Sequence, residues 1–262
     1  MAPPTDWTDD LTACASLVER GDPERFRQVM AAPLSARRAL FPLYAFNIEV
    51  ARAPWVTQEP MIAEMRLQWW RDALEEIQAG TGIRRHDVVT PLSDMLPPAG
   101  ARWLDALVEA RRWDVWKEPF EDATHFNSYL DATSGHLLRA GALMLGEPLD
   151  ESLAASAGFA LGLANWFRAI PALEGSGRQP LPDGRPEAVA QLAQAGIAAA
   201  DQVRARRTSL PKTLSPLFFG LPEARALLRM AARTPQRVAD GALELGPLQA
   251  RLALTRAAFG RW

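Results

Sequence analysis

Apolar residues recur at three- and four-residue spacing along almost the whole chain, and nowhere does a strict apolar–polar alternation persist over a strand's length. That spacing sets successive apolar side chains on one face of a 3.6-residue helix, so the chain is expected to be all-α, with no sheet. Glycines and prolines punctuate it. Asp22-Pro23 places an N-cap before a proline at the first helical position, and Ser35 is expected to cap a second helix running through Tyr44 to Ala53, with Pro54 stopping it. A third helix is expected over residues 58–79, ending at Gly80, followed by a connector with one short helix at 88–95 and a break at Pro97-Pro98. Further helices are expected over 101–113, 123–145, 151–170, 187–207, 222–233 and 247–259, and the run EGSGRQPLPDGRP at 174–186 reads as the clearest loop. Helices of this number must bury their apolar stripes on one another, which predicts a single-domain helical bundle over 1–262 around a central cavity.

Composition narrows the function classes. Lys+Arg 29 against Asp+Glu 31 leaves a formal charge of -2, with no global field to draw the chain onto nucleic acid. Cys14 is the single cysteine, so neither an internal disulfide nor a thiolate metal cluster is expected, and a cytoplasmic home fits. Residues 1–10 carry Asp6, Asp9 and Asp10 without a basic region leading into an apolar run, so no secretory signal is expected there. The longest uncharged stretch, Leu153 to Phe167, is shorter than the roughly 20 apolar residues that span a bilayer.

Five ordered landmarks carry a resemblance. LFPLYAFNIEVARAP at 40–54 and MRLQWWRDALEEI at 65–77 come first. Tyr129 with Ser134-Gly135 follows, then Asn165 with Arg168, then Gly177-Arg178 with Leu181-Pro182. In this order and spacing they resemble the squalene/phytoene synthases, over roughly the first three quarters of the chain, which implies the isoprenoid-synthase fold. Active members of that family set two pairs of aspartates, four residues apart, on facing helices. Such pairs share a helical face and give Mg²⁺ the hard oxygen ligands through which it neutralises an allylic diphosphate.

By that alignment the four aspartate positions are Ala51, Trp55, Ala169 and Leu173, so no catalytic residue and no metal ligand are expected. The family arginine after Tyr-Ala-Phe-x is Ile48, and Pro171 inside the second motif is expected to end or kink its helix. Glu49 lies about 200° around the helix from Ala51 and points elsewhere. Glu64, Asp72, Glu75 and Glu76 are expected to form solvated faces with Arg66 and Arg71. Pocket or anion-binding candidates implied by the resemblance are Tyr44, Phe46, Ile48, Tyr129, Asn165 and Arg168. His86, His125 and His136 lack the pairing of a zinc site, and Ser134 lacks the Gly-x-Ser-x-Gly elbow of a hydrolase. Of the adjacent Trp69 and Trp70, one is expected in the core and the other exposed or interfacial.

AFNIEVA, the MRxQxW helix and RAxP resemble in turn a branch of the same superfamily, the mitochondrial respiratory complex I assembly factors, which lost their aspartates at the same places. The resemblance implies a non-catalytic assembly or binding factor without cofactor, with complex I subunits or another assembly protein as partners. The alternatives are a Mg²⁺-dependent head-to-head prenyl transferase and an isoprenoid- or lipid-binding protein without turnover. At most a peripheral contact with the inner membrane is expected, for which the run LSPLFFGL at 214–221 is one option beside core packing.

Overall fold

The computed structural model describes residues 7–262, and among them there are fourteen α-helices and no strand. The reading of residues 1–10 leans in part on Asp6, which lies outside the described residues. The chain falls into two compact units, the first running through Trp116 and taking up His136–Leu149, the second made of Lys117–Gly135 and Asp150–Trp262.

In the first unit, α1 (Asp9–Gly21), α2 (Pro23–Met30) and α3 (Leu34–Arg52) pack together, while α4 (Pro60–Ala79) lies along α6 (Pro98–Arg111). The short α5 (Val89–Ser93) and α7 (Trp113–Trp116) fill between them, and α9 (His136–Met144) lies against α3 and α6. Local chemistry sets the ends. Thr8 accepts a hydrogen bond from the Leu11 amide at the start of α1, Asp22 accepts from the Arg25 amide with Pro23 at the first position of α2, and Gly80 closes α4 with φ +69°. Helix α1 was not among the expected elements, although Leu11, Cys14 and Val18 form its buried stripe. Cys14 is fully buried, its Sγ donates to the Asp87 carbonyl at 3.3 Å, and desolvation pushes the thiol up to about 12.

Ser35 is not the cap of α3. The helix starts one residue earlier, behind Pro33, without a side-chain cap, and the Arg37 side chain instead donates to the Met30 and Ala32 carbonyls at the end of α2.

The second unit is organised on α10 (Glu151–Gly175), which is flanked by α8 (Ala123–Leu130), α11 (Pro186–Ala205), α12 (Leu221–Arg233) and α13 (Gln236–Ala239). Proline 171 neither ends nor sharply stops α10, which continues to Gly175. An interior proline costs about 3 kcal/mol. Burying Ile170 and Leu173, at 2% and 4% exposure, contributes roughly 1.5–3 kcal/mol each and offsets it. The Pro171 ring also packs on Gly241, whose φ of +66° brings the chain close enough that a Cβ would stand 3.4 Å from Pro171 Cγ. Helix α10 has the length and the mean hydropathy, 1.2 over its most apolar window, of a membrane-crossing segment, and 61% of that window is buried. The run at 214–221 forms a 3₁₀ segment (Lys212–Phe218) and the start of α12, with Leu214, Leu217, Phe218, Phe219 and Leu221 all buried. It is core, and the option of a membrane-facing surface there is lost.

The expected single helix over 123–145 contains a five-residue π turn, Asp131–Gly135, after α8 and before α9. Its cause is contact with α10. A Cβ on Gly158 would lie 2.6 Å from the Gly135 Cα, and a Cβ on Gly162 would lie 2.6 Å from the Ser134 Oγ. Gly158 thus lets backbone meet backbone, Gly162 one turn on makes room for the Ser134 side chain, and the widened turn fits into the gap.

Gly158→Ala meets backbone that cannot rotate away, and is expected to destabilise by about 2–3 kcal/mol despite gaining roughly 1 kcal/mol of helix propensity. Gly162→Ala meets a rotatable hydroxyl and is expected to cost less than half as much; urea unfolding of the two variants gives the order. At the head of α10, Asp150 accepts from Ser152, Arg206 and the Leu153 amide, which hold its carboxyl down at about 2. Because the folded-state value lies below the unfolded one of about 3.9, this stabilisation is present at neutral pH and is lost as the pH falls from about 4 through about 2. Asp150→Asn, which keeps a capping oxygen, is expected to give a shallower acid limb in stability measured against pH.

Candidate functional site

The first face implied by the family resemblance lies on α3. Tyr44 is buried with the Arg25 guanidinium 4.9 Å over its ring, and desolvation raises its phenol above the ordinary value. Phe46 is fully buried and meets Trp70 edge to face at 5.2 Å. Ile48, where the family has an arginine, is 6% exposed and fills the space beside Gly21, with its Cγ2 3.0 Å from where a Cβ would stand there. Ala51 is half-buried, and Trp55, in the turn after α3, is 49% exposed. Val56, Met61, Ile62 and Met65 follow it along the turn and the first turns of α4, all exposed, with Met61 and Met65 one helical turn apart at 69% and 66%.

The carboxylates near this face are committed elsewhere. Glu49 pairs with Arg66 at 3.5 Å and Glu64 with Arg112 at 2.7 Å, while the Trp116 indole donates to Glu64 at 3.0 Å. Arg71 reaches across to Asp105 at 2.7 Å and to Glu109. Arg66 and Arg71, expected on solvated faces with the acids of α4, find their ion-pair partners on other helices: packing of α4 along α6 brings Asp105 and Glu109, one turn apart, onto Arg71. Asp72 accepts from Gln68, and Glu76 pairs with Arg84. A cleft of about 370 Å³ lies between these groups, lined by Gln68, Arg71, Asp72, Glu75 and Asp105 among others.

Trp70 is in the core and Trp69 is half-buried, yet their rings touch at right angles 4.9 Å apart, and Arg84 lies over Trp69 at 4.8 Å. Each histidine meets an aromatic ring edge-on or tilted: His86 with Trp69 and Trp70, His125 with Phe120, His136 with Trp103.

The second face lies on α10. Asn165 and Arg168 are exposed, Ala169 is half-buried, and Leu173 is built into the core at 4% exposure. Between them Trp166 turns inward and donates its indole N–H to the Pro180 carbonyl at 2.8 Å, which ties α10 to the loop holding the buried Arg178 and Leu181. Gly177, at φ +82°, makes the reversal into that loop, and the Arg178 amide closes back on the Leu173 carbonyl at 3.0 Å. Tyr129 is 4% exposed within a cluster with Phe120 and Trp166 at ring distances of 5.5 and 5.3 Å. This aromatic cluster and the Arg25–Tyr44 contact escape sequence reasoning, because partners far apart in the chain carry no local signal.

Magnesium requires several oxygen ligands in near-octahedral geometry. Alanine, tryptophan, alanine and leucine at the four aligned positions supply none from side chains, and no group of three or more His, Cys, Asp or Glu among the described residues is placed to hold a metal. The residues present do not fit the ion, and no step can be routed through it. Arg168, exposed with Asn165 one turn before it, keeps the family position.

Comparison with known proteins bears on both faces. The "NADH dehydrogenase (ubiquinone) complex I, assembly factor 6 homolog" of Drosophila melanogaster is 33% identical over 178 residues, 64% of this chain and 52% of that protein. The human complex I assembly factor 6 is 26% identical over 172 residues, 60% of this chain and 48% of its own length. The chain thus spans about half the length of the curated relatives it matches. Among solved structures, a dehydrosqualene synthase in complex with ligand superposes with a TM-score of 0.79 at 13% identity, covering 95% of both chains. A squalene synthase from Alicyclobacillus acidocaldarius gives 0.71 at 19% identity, covering 86% of this chain and 93% of that one. These likenesses establish the all-α isoprenoid-synthase-like fold. The squalene/phytoene synthase family matches residues 18–257, nearly the whole chain, and the protein belongs to that family.

Proposed function

We propose that this protein is a non-catalytic member of the family that acts as an assembly or binding factor for the respiratory NADH:quinone oxidoreductase. The observation that carries the reading is Leu173: at the last of the four aligned aspartate positions the side chain is packed into the core, not turned outward. A carboxylate there would be desolvated, which strongly disfavours its charged form. At that position the site has been rebuilt as packing, and a single substitution does not restore a metal ligand set.

Two further observations support the assembly role. The similarity to complex I assembly factor 6 of fly and human extends over more than half of this chain. Beside the first face, Trp55, Val56, Met61, Ile62 and Met65 leave apolar side chains in water. Methionine and tryptophan are enriched at protein interfaces, where a flexible thioether and a large ring adapt to a partner. We assign this surface to a complex I subunit or another assembly protein, with the factor acting on the cytoplasmic side of the inner membrane.

Two outcomes are expected. The purified protein releases no pyrophosphate from farnesyl or geranylgeranyl diphosphate above background, with or without Mg²⁺, beside an active phytoene synthase as control. Magnesium-dependent release would return the chain to the prenyl transferases. In the source cell, deletion is expected to lower membrane NADH:quinone oxidoreductase activity, and wild-type protein to restore it. The double variant Met61→Glu with Met65→Glu should restore it poorly, with partner affinity weakened about tenfold or more. Its thermal midpoint should stay near wild type, since exposed substitutions shift stability by only about 0.5 kcal/mol. Full complementation by the double variant would remove this surface from the reading.

A further inference from the structure

The C-terminal helix α14 (Pro247–Ala258) carries an apolar stripe on its wrong side. It packs on α12 and on the 3₁₀ segment 212–218 through Ala257, its one buried residue. At about 100° per residue, Leu248, Leu252 and the following Phe259 fall within about 40° of one another, on the side opposite Ala257. Their exposures are 71%, 49% and 80%. Scattered apolar side chains on a surface need no explanation, but three aligned on one helical face do.

Cations border this stripe. Arg251 and Arg256 flank its centre at about 80° to one side and about 60° to the other. Beside it opens a cleft of about 350 Å³ lined by Arg204, Arg225, Arg256, Arg261, Leu252 and Trp262 among others, with no acidic residue in its lining. Arg225 and Arg204 share Asp201, at 2.7–3.1 Å, whereas Arg256 and Arg261 have no carboxylate partner among the described residues. Four guanidinium groups against one carboxylate leave an excess of positive charge next to an apolar ridge.

We infer that α14 and the arginine cleft form a docking surface for a bilayer containing anionic phospholipid. Phosphate oxygens match the guanidinium forks, and Leu248, Leu252 and Phe259 enter the boundary between headgroups and acyl chains. Charge decides this occupant over a protein: a cluster of arginines in excess of its one carboxylate, beside an exposed apolar stripe, complements an anionic lipid surface, which supplies both the phosphates and the hydrocarbon. The inference goes beyond the assembly reading and does not depend on it.

Co-sedimentation of the whole protein with vesicles tests it. Binding is expected to vesicles of phosphatidylcholine mixed with phosphatidylglycerol, little to phosphatidylcholine alone, with binding weakened as salt rises from about 0.1 to about 0.5 M. Taking roughly fivefold per arginine near an anionic surface, Arg256→Gln with Arg261→Gln should weaken binding about 25-fold. Leu248→Ser with Phe259→Ser should abolish pelleting, and circular dichroism should show both double variants folded, since all four side chains are exposed. The inference is overturned by wild-type protein that stays in the supernatant with anionic vesicles, by equal pelleting with neutral ones, or by folded variants that bind like wild type. Binding of inorganic phosphate by a protein that never pellets would mark a free-phosphate site and likewise overturn the lipid surface.

Discussion

The second unit rests on how closely α10 admits its neighbour. Gly158 and Gly162 remove the side chains that would hold the Ser134–Gly135 turn away, and α8 widens into a π turn to take up the space. Once that contact is set, the position of Trp166 one helical turn further on follows, and with it the indole bond to Pro180 and the aromatic cluster around Tyr129. A family landmark, the Ser-Gly after the tyrosine, is here explained by packing alone.

The same economy governs the charges. Acidic residues of α3, α4 and α6 are joined to arginines of neighbouring helices: Glu49 with Arg66, Glu64 with Arg112, Asp105 with Arg71. Partly exposed pairs of this kind contribute little individually to stability. They join α3 to α4 and α4 to α6. Ile48 does for the first unit what Leu173 does for the second, replacing a polar contact with a side chain that fills a gap.

Much of the fold was legible in the sequence where its cause is local. Asp22-Pro23 and Gly80 mark helix ends through backbone chemistry that a few residues decide, and the all-α class follows from periodicity. Where distant partners decide, the sequence misled. Proline 171 reads as a stop, but burial of Ile170 and Leu173 carries the helix through it; Ser35 reads as a cap, but α3 starts behind Pro33 with no side-chain cap. The run LSPLFFGL and the stripe of α14 have similar apolar content, yet one is core and the other faces water, because only three-dimensional packing says which side is covered. For the candidate site, the absence of aspartates was plain from residue identity. That Tyr44, Phe46, Ile48 and Tyr129 are buried was not.

Cys14 offers a gauge built into the first unit. It is the single thiol of the chain, it is fully buried in α1, and it is held near the Asp87 carbonyl while Asp10, on the same helix, holds Arg85. With its thiol pushed so far above neutrality, the thiolate needed for alkylation is vanishingly scarce while α1 stays docked. The rate at which a thiol reagent consumes the protein therefore times the undocking of one helix, without any introduced label.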